Sequence, residues 1–330
     1  MKLSTIVLTA FSLAVSCAQN TESQRTDPRT AAQSEAPATS QRDLDATQLS
    51  CGTSNDLSVF SLSQQASMFI VNGDEAASND PVTASTAKIY IPGGTCTGTL
   101  IGPNQLVTAA HCFENNQTNS FDYIDLNNRN VSIGLGVAGT RSANLRVYSF
   151  VPHPCYKGIL GNAETGQYLE QIYYDVAIVT FSGNLPAAHY GVEIASREEL
   201  DSTSTVTIAG YGAYSDTDRQ ARPLTMVQTR IEEITSLDEI QLEVNGKGAC
   251  FGDSGGPTYI EVDGTLKVAG TTTGPGRSSN YSCAAGSGTM MDLSKYVGWI
   301  KCSLEQMGSP ILTLNTDPSS AFCKDNDIIK

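Results

Sequence analysis

From residue 70 onward the chain breaks into short runs rich in Val, Ile and Thr, set between Gly, Asn and Pro turns: 87–91, 105–109, 130–135, 144–151, 176–181, 205–209, 226–234, 258–262 and 267–273. Such runs can bury a face only by pairing with neighbours over a shared core, so they predict an all-β chain of barrels or sandwiches. The 29 glycines and the charged fraction of only 16% agree, because long amphipathic helices need more charge and fewer breakers. One helix is expected near the end, over 292–306, where Leu293, Tyr296, Val297, Ile300 and Leu304 recur at helical spacing. The sequence shows no internal repeat.

The balance of 20 Lys and Arg against 34 Asp and Glu gives a formal net charge of −14, which argues against an electrostatic grip on nucleic acid or an anionic membrane face. No apolar run reaches the roughly 18 residues that a bilayer span needs. Met1-Lys2 followed by the apolar stretch 6–15 reads instead as a signal peptide, 1–18, so the protein is expected outside the cytoplasm, secreted or in the cell envelope. Its end has two readings: cleavage after Ala18, or a lipoprotein signal ending before Cys17, which would then carry a lipid anchor. Either way Cys17 leaves the disulfide pool, and Cys51, Cys96, Cys112, Cys155, Cys250, Cys283, Cys302 and Cys323 remain, an even set that suits an oxidising compartment. Residues 19–69 are expected to be a disordered linker and propeptide, since up to residue 50 there is scarcely a bulky apolar side chain to offset the entropy of ordering. Residues 307–330 are a C-terminal extension.

Three local sequences carry chemistry. Gly252-Asp253-Ser254-Gly255-Gly256-Pro257 sets one serine among glycines that let a substrate approach closely, and Ser254 is the expected nucleophile. A hydroxyl attacks poorly at neutral pH unless a base takes its proton, and Thr108-Ala109-Ala110-His111-Cys112 supplies His111 at the end of an apolar run. An imidazole needs a carboxylate to fix its tautomer, and Asp175, just before the run 176–181, is the expected orienter. His153, in Pro152-His153-Pro154, and His189 lack such contexts and read as bland loop residues.

In that order and with those flanking residues, His111, Asp175 and Ser254 resemble the chymotrypsin/trypsin family of serine endopeptidases over 70–306, in the form of a secreted bacterial member. The resemblance implies two six-stranded antiparallel Greek-key β-barrels with a C-terminal helix, His111 and Asp175 coming from the first barrel and Ser254 from the second. It implies peptide-bond hydrolysis through an acyl-enzyme, with the backbone N–H groups of Gly252 and Ser254 as the oxyanion hole. Ile70-Val71-Asn72-Gly73 is similar to the family's activation site, so the chain would be a zymogen cut between Phe69 and Ile70. The freed α-amine would then pair with Asp253, which would lack a partner in the uncut chain. Most relatives are cut after Arg or Lys, whereas Met68-Phe69 precedes Ile70 here, so the implied activator is an apolar-specific protease or the enzyme itself.

In this family the pocket floor lies six residues before the serine, which is Gly248 here. Gly288 would be a second small wall residue, and Thr273 and Ile172 would line the substrate site. With no carboxylate at 248, the resemblance implies a preference for uncharged, apolar or aromatic P1 residues. The family's Ser-Trp-Gly wall reads Thr273-Gly274-Pro275, which alters the edge that pairs with substrate backbone. The implied disulfides are Cys96–Cys112 and Cys250–Cys283, together with Cys302–Cys323 and Cys51–Cys155, the last with a partner position unlike the family's. No metal or cofactor is expected, since 134–145, where relatives bind calcium, contains no Asp or Glu. The insertions 113–130 and 157–173 read as solvated loops, with exosites as the other reading. The expected partners are a protein or peptide substrate and an activating protease, for a chain that is otherwise monomeric. The alternative function is a non-catalytic trypsin-like binding module or adhesin at the cell surface, a role such chains take after losing a triad member; all three are present here.

Overall fold

Short strands with one apolar face reach stability by closing on themselves, and in the computed structural model of this chain they do so twice. The structure describes residues 70–115, 123–127, 130–156, 174–212, 222–236, 238–274, 283 and 287–307. All of these fall in one of the chain's two units, Ser54–Asp317; the other, Met1–Thr53 with Pro318–Lys330, lies outside the described residues.

A two-residue strand β1 (Asp74–Glu75) and a five-residue helix α1 (Pro81–Ser85) precede the first barrel. That barrel contains β2 (Thr86–Ile91), β3 (Gly94–Leu100), β4 (Gln105–Thr108), β5 (Ser132–Leu135), β6 (Thr140–Pro152) and β7 (Ala177–Phe181). Its order is β2-β3-β4-β7-β6-β5, closed by antiparallel pairing of β5 with β2. Next come β8 (Glu193–Ile194) and a helix α2 (Arg197–Asp201), whose start is fixed by a capping box between Ser196 and Glu199. The second barrel contains β9 (Thr205–Gly210), β10 (Thr225–Ile234), β11 (Glu239–Leu242), β12 (Pro257–Val262), β13 (Thr265–Gly274) and β14 (Thr289–Asp292). Its order is β9-β10-β11-β14-β13-β12, closed by β12 on β9, with β1 added beside β10 and β8 running parallel to β13. Both barrels therefore use one winding, first-second-third-sixth-fifth-fourth, although the sequence carries no visible repeat.

Each barrel has its own apolar filling. Ile89, Leu100, Leu106, Ile133, Val179 and Phe181 occupy the first, and Val206, Ile208, Ile240, Leu242, Ile260 and Met290 the second, joined by Ile70 from the start of the described chain. The expected helix begins later than the periodicity predicts: Asp292 caps a 3-10 turn at Leu293–Lys295, and α3 (Val297–Gln306) follows. Asp292 is fully buried, and Arg197 from α2 reaches it at 3.0 Å, which ties α2 to the end of β14. The all-β architecture of two six-stranded barrels and a C-terminal helix is the one expected.

Candidate active site

Pairing register brings the first two residues together. Thr108 at the end of β4 stands opposite Ala177 at the start of antiparallel β7, so the segments leaving β4 and entering β7 emerge side by side. His111 sits in a 3-10 turn (Ala110–Phe113) three residues past β4, and Asp175 two residues before β7. The Asp175 carboxylate is fully buried and accepts twice from His111: from the backbone N–H on Oδ1 at 2.9 Å and from Nδ1 on Oδ2 at 2.8 Å. A carboxylate can only accept, so Nδ1 carries the proton and Nε2 is left as the basic nitrogen. Burial by itself would lower the His111 pKa. The charge and hydrogen bond of Asp175, with the charge of Glu114, outweigh it, and the net shift is upward.

Glu114 was not singled out in the sequence. It lies three residues past His111, 5% exposed, donates its N–H to the His111 carbonyl at 3.1 Å and accepts the Tyr156 hydroxyl on its carboxylate. A charge at that depth close to an imidazole favours the imidazolium.

Asp175 is held from behind by aromatic stacking. Tyr174 adopts φ 59°, left-handed backbone that a non-glycine residue reaches only at a cost of about 1–3 kcal/mol. Its ring stacks on His153 with centroids 5.0 Å apart, and His153 meets Tyr296 and Trp299 edge-on. His153 is 2% exposed and its Nδ1 accepts the Cys155 N–H at 3.2 Å, so it is a buried packing residue and not the bland loop residue expected. Burial pushes its pKa down to about 3, which keeps the ring neutral. His189 is the more peripheral of the pair, half-buried with Nδ1 3.2 Å from the Ala84 carbonyl.

Ser254 enters from the second barrel on the loop before β12, 9% exposed. Its carbonyl accepts from Thr97 N–H at 2.9 Å and lies 3.7 Å from Sγ of Cys112, the residue after His111, so the segments that carry the serine and the histidine lie against one another at the seam between barrels. Gly255 makes that approach possible. It has φ 77°, and a Cβ there would stand 2.5 Å from the Thr97 carbonyl oxygen and 2.7 Å from the Ala109 nitrogen. Gly252 also has positive φ, 85°. Among the described residues the N–H groups of Gly252 and Ser254 have no hydrogen-bond partner.

Asp253 differs from expectation. Its fully buried carboxylate accepts N–H groups from Gly212 at 3.0 Å, Cys250 at 3.0 Å and Ile70, so it already has partners with Ile70 still joined to Phe69. Amide donors can solvate a carboxylate without a cation, but burial still dominates and pushes its pKa up to about 8. Ile70 is 2% exposed, and Val71 donates to the Gly248 carbonyl at 2.8 Å. A Cβ on Gly288 would meet Met290 Cε at 2.6 Å, so the Met290 methyl occupies space beside that wall. Thr273 is 3% exposed at the end of β13; Ile172 lies outside the described residues.

The disulfides Cys96–Cys112 and Cys250–Cys283 are present, the first beside His111 and the second bracing the serine loop. Cys155 and Cys302 are each disulfide-bonded, and the expected partners Cys51 and Cys323 lie outside the described residues. Cys96, His111 and Cys112 converge closely enough for a metal, but the two sulfurs are bonded to one another and offer no thiolate.

Comparison with known proteins agrees with this geometry. Chymotrypsin-like elastase family member 1 of Felis catus is 26% identical over 224 residues, which is 62% of this chain and 78% of that protein. Glandular kallikrein-10 of Rattus norvegicus is 29% identical over 223 residues, 62% of this chain and 79% of that protein. Hypodermin-B of Hypoderma lineatum is 28% identical over 181 residues, half of this chain and 63% of that protein. The Trypsin family model matches residues 70–300, the span that holds both barrels, His111, Asp175 and Ser254, and the chain belongs to that family.

Proposed function

We propose that the chain is a serine endopeptidase in which Ser254 is the nucleophile, His111 the general base and acid, and Asp175 the group that orients His111. The observation that carries this is the pair of hydrogen bonds from His111 to buried Asp175, which fixes the tautomer with the proton on Nδ1 and leaves Nε2 as the base, on the residue next in sequence to Cys112, whose Sγ lies 3.7 Å from the Ser254 carbonyl. In the reaction, Ser254 Oγ bonds to the peptide carbonyl carbon while its proton passes to His111 Nε2. The oxyanion is held by the N–H groups of Gly252 and Ser254. The C–N bond then breaks as His111 returns the proton to the leaving amine, and a water activated by His111 releases the acyl group. A fluorophosphonate probe should label Ser254 in the parent chain and not in Ser254→Ala. No label on a folded parent, before or after a cut at Ile70, would overturn the reading and favour a binding module.

Activation and specificity belong to the same proposal. Cleavage between Phe69 and Ile70 would replace an amide donor at Asp253 with an ammonium, which adds charge to a contact already formed. Phe69 as the residue before the cut and a glycine at 248 both support a neutral, apolar or aromatic P1 residue, and they make self-activation economical. The substrate class is protein or peptide. Two disulfides and the apolar leader support a protein exported from the cytoplasm, secreted or held in the cell envelope through Cys17.

A further inference from the structure

The oxyanion function proposed above depends on how the Gly252 peptide is held. Glycine at φ 85° carries little conformational preference of its own, so the direction of its N–H is set by what anchors the peptides on either side. On the upstream side Cys250 is fixed by its disulfide and by its N–H to Asp253. The downstream anchor is a side chain from the other barrel. Thr97 on β3, fully buried, places Oγ1 2.7 Å from the Gly252 carbonyl oxygen and 3.2 Å from the Tyr211 backbone nitrogen.

The hydrogen positions follow from valence. A backbone N–H can only donate, so Oγ1 accepts from Tyr211, and its single proton goes to the Gly252 carbonyl. The same residue holds Ser254 through its main chain, N–H to the Ser254 carbonyl at 2.9 Å, while Thr108 Oγ1 donates to the Thr97 carbonyl at 2.7 Å. Thr97 thus grips the carbonyls on both sides of Asp253. The grip on Ser254 would survive any side chain at 97, but the grip on Gly252 requires a hydroxyl. The Tyr211–Gly212 segment is drawn into the same clamp: Gly212 Cα would stand 3.1 Å from a Cβ on Gly252.

We propose that Thr97 is a positioning residue for catalysis, its hydroxyl fixing the Gly252 carbonyl and through it the direction of the Gly252 N–H toward the oxyanion. The inference rests on the endopeptidase reading and concerns a residue of the first barrel that touches no substrate. Removing an oxyanion donor outright costs about 100-fold to 1,000-fold in kcat; loosening one of two donors should cost about 10-fold.

The test compares the full chain with Thr97→Val, which keeps the branched shape without the hydroxyl, and Thr97→Ser, which keeps the hydroxyl. Peptide-ester kinetics, affinity for a peptidyl boronate and Tm are measured on all three. The expected result for Thr97→Val is kcat down about 10-fold with KM within about twofold, and boronate affinity falling in step with kcat. Thr97→Ser should restore kcat to within about twofold. A Thr97→Val chain with parental kcat and only a lowered Tm would overturn the proposal, as would equal loss of kcat in Thr97→Ser, which would make the methyl the cause. If Thr97→Val does not fold, Thr97→Ala set against Thr97→Ser asks the same question. A parent chain that neither hydrolyses nor labels would instead overturn the endopeptidase reading itself.

Discussion

The titration of Asp253 offers a direct test of the contact between the serine loop and Ile70. Burial pushes this carboxyl from its ordinary 3.8 up to about 8 in the chain with Ile70 still in peptide linkage, against the pull of the N–H groups of Cys250, Gly212 and Ile70. The folded state then holds the proton more tightly than the unfolded state does. Its contribution to stability is complete below about pH 4 and is lost as pH rises to about 8. The whole shift is about 4 units, on the order of 6 kcal/mol. His153 acts in the opposite sense below pH 6.5, since burial lowers it to about 3 and its contribution is regained as pH rises through that range. The window that isolates Asp253 from His153 is therefore pH 6.5 to 8, about 1.5 units, or roughly 2 kcal/mol and a fall in Tm of roughly 4–8 °C.

The assay is thermal unfolding at pH 6.5 and 8.0 of the uncut Ser254→Ala chain, which cannot digest itself, and of the same chain with Asp253→Asn. Taking the difference between them cancels the titration of His111 and Asp292, whose pKa values are also raised. Asparagine has one acceptor oxygen where the carboxyl group uses two, so Asp253→Asn should cost about 1–3 kcal/mol at pH 6.5, and because an amide does not titrate the slope should flatten and that cost should shrink by roughly 2 kcal/mol by pH 8.0. An unchanged slope in Asp253→Asn would refute the burial argument. Cutting before Ile70 should also flatten the slope, because the new ammonium neutralises the carboxylate in place; a cut chain that keeps the slope would mean that the amine does not reach Asp253.

Glu114→Gln removes one of the two charges that raise His111 while keeping an acceptor for the Tyr156 hydroxyl, so the acidic limb of the kcat/KM–pH profile should move to lower pH; an unmoved limb would show that the Glu114 charge is not felt at the imidazole. Gly248→Asp should bring in Lys and Arg at P1 and reduce Phe, by at least about 10-fold in relative kcat/KM, as measured on matched peptide esters. Gly255→Ala forces a Cβ to within 2.5 Å of the Thr97 carbonyl oxygen at φ 77°, so it should lower Tm and slow fluorophosphonate labelling at least 10-fold, with about 1–2 kcal/mol from the backbone conformation alone.

Much of the barrel framework was legible because most of its strands are written in Val, Ile and Thr. Those that escaped the pattern are β3, β11 and β14. Gly94–Leu100 reads GTCTGTL, where glycine and threonine mimic a turn, yet it supplies both Cys96 and Thr97 to the seam. Glu239–Leu242 and Thr289–Asp292 are four residues each, too short for alternation to register, and their strand character comes from pairing with each other as neighbours in the barrel wall. The small helices α1 and α2 are too short for apolar periodicity to register, and their signals are caps instead, Asp80 before Pro81 and the Ser196–Glu199 box.

The candidate site divides along the same line. His111, Asp175 and Ser254 stand beside strand ends, and each announces itself within about six residues of sequence. The groups that would hold them in place do not, because their partners are far away along the chain: Thr97 meets Gly252 across 155 positions. His153 shows why local context misleads here. Between two prolines it looks like loop, but its ring lies between Tyr174, the residue before Asp175, and the pair Tyr296 and Trp299 at the start of α3. The left-handed backbone at Tyr174 needs an offsetting contact, and the stack supplies it, aided by a ring that burial keeps neutral. The C-terminal helix therefore reaches the first barrel, beside β7. Through His153 it braces the turn that aims Asp175 at His111, so the His111–Asp175 geometry rests in part on chain that follows Ser254 by more than forty residues.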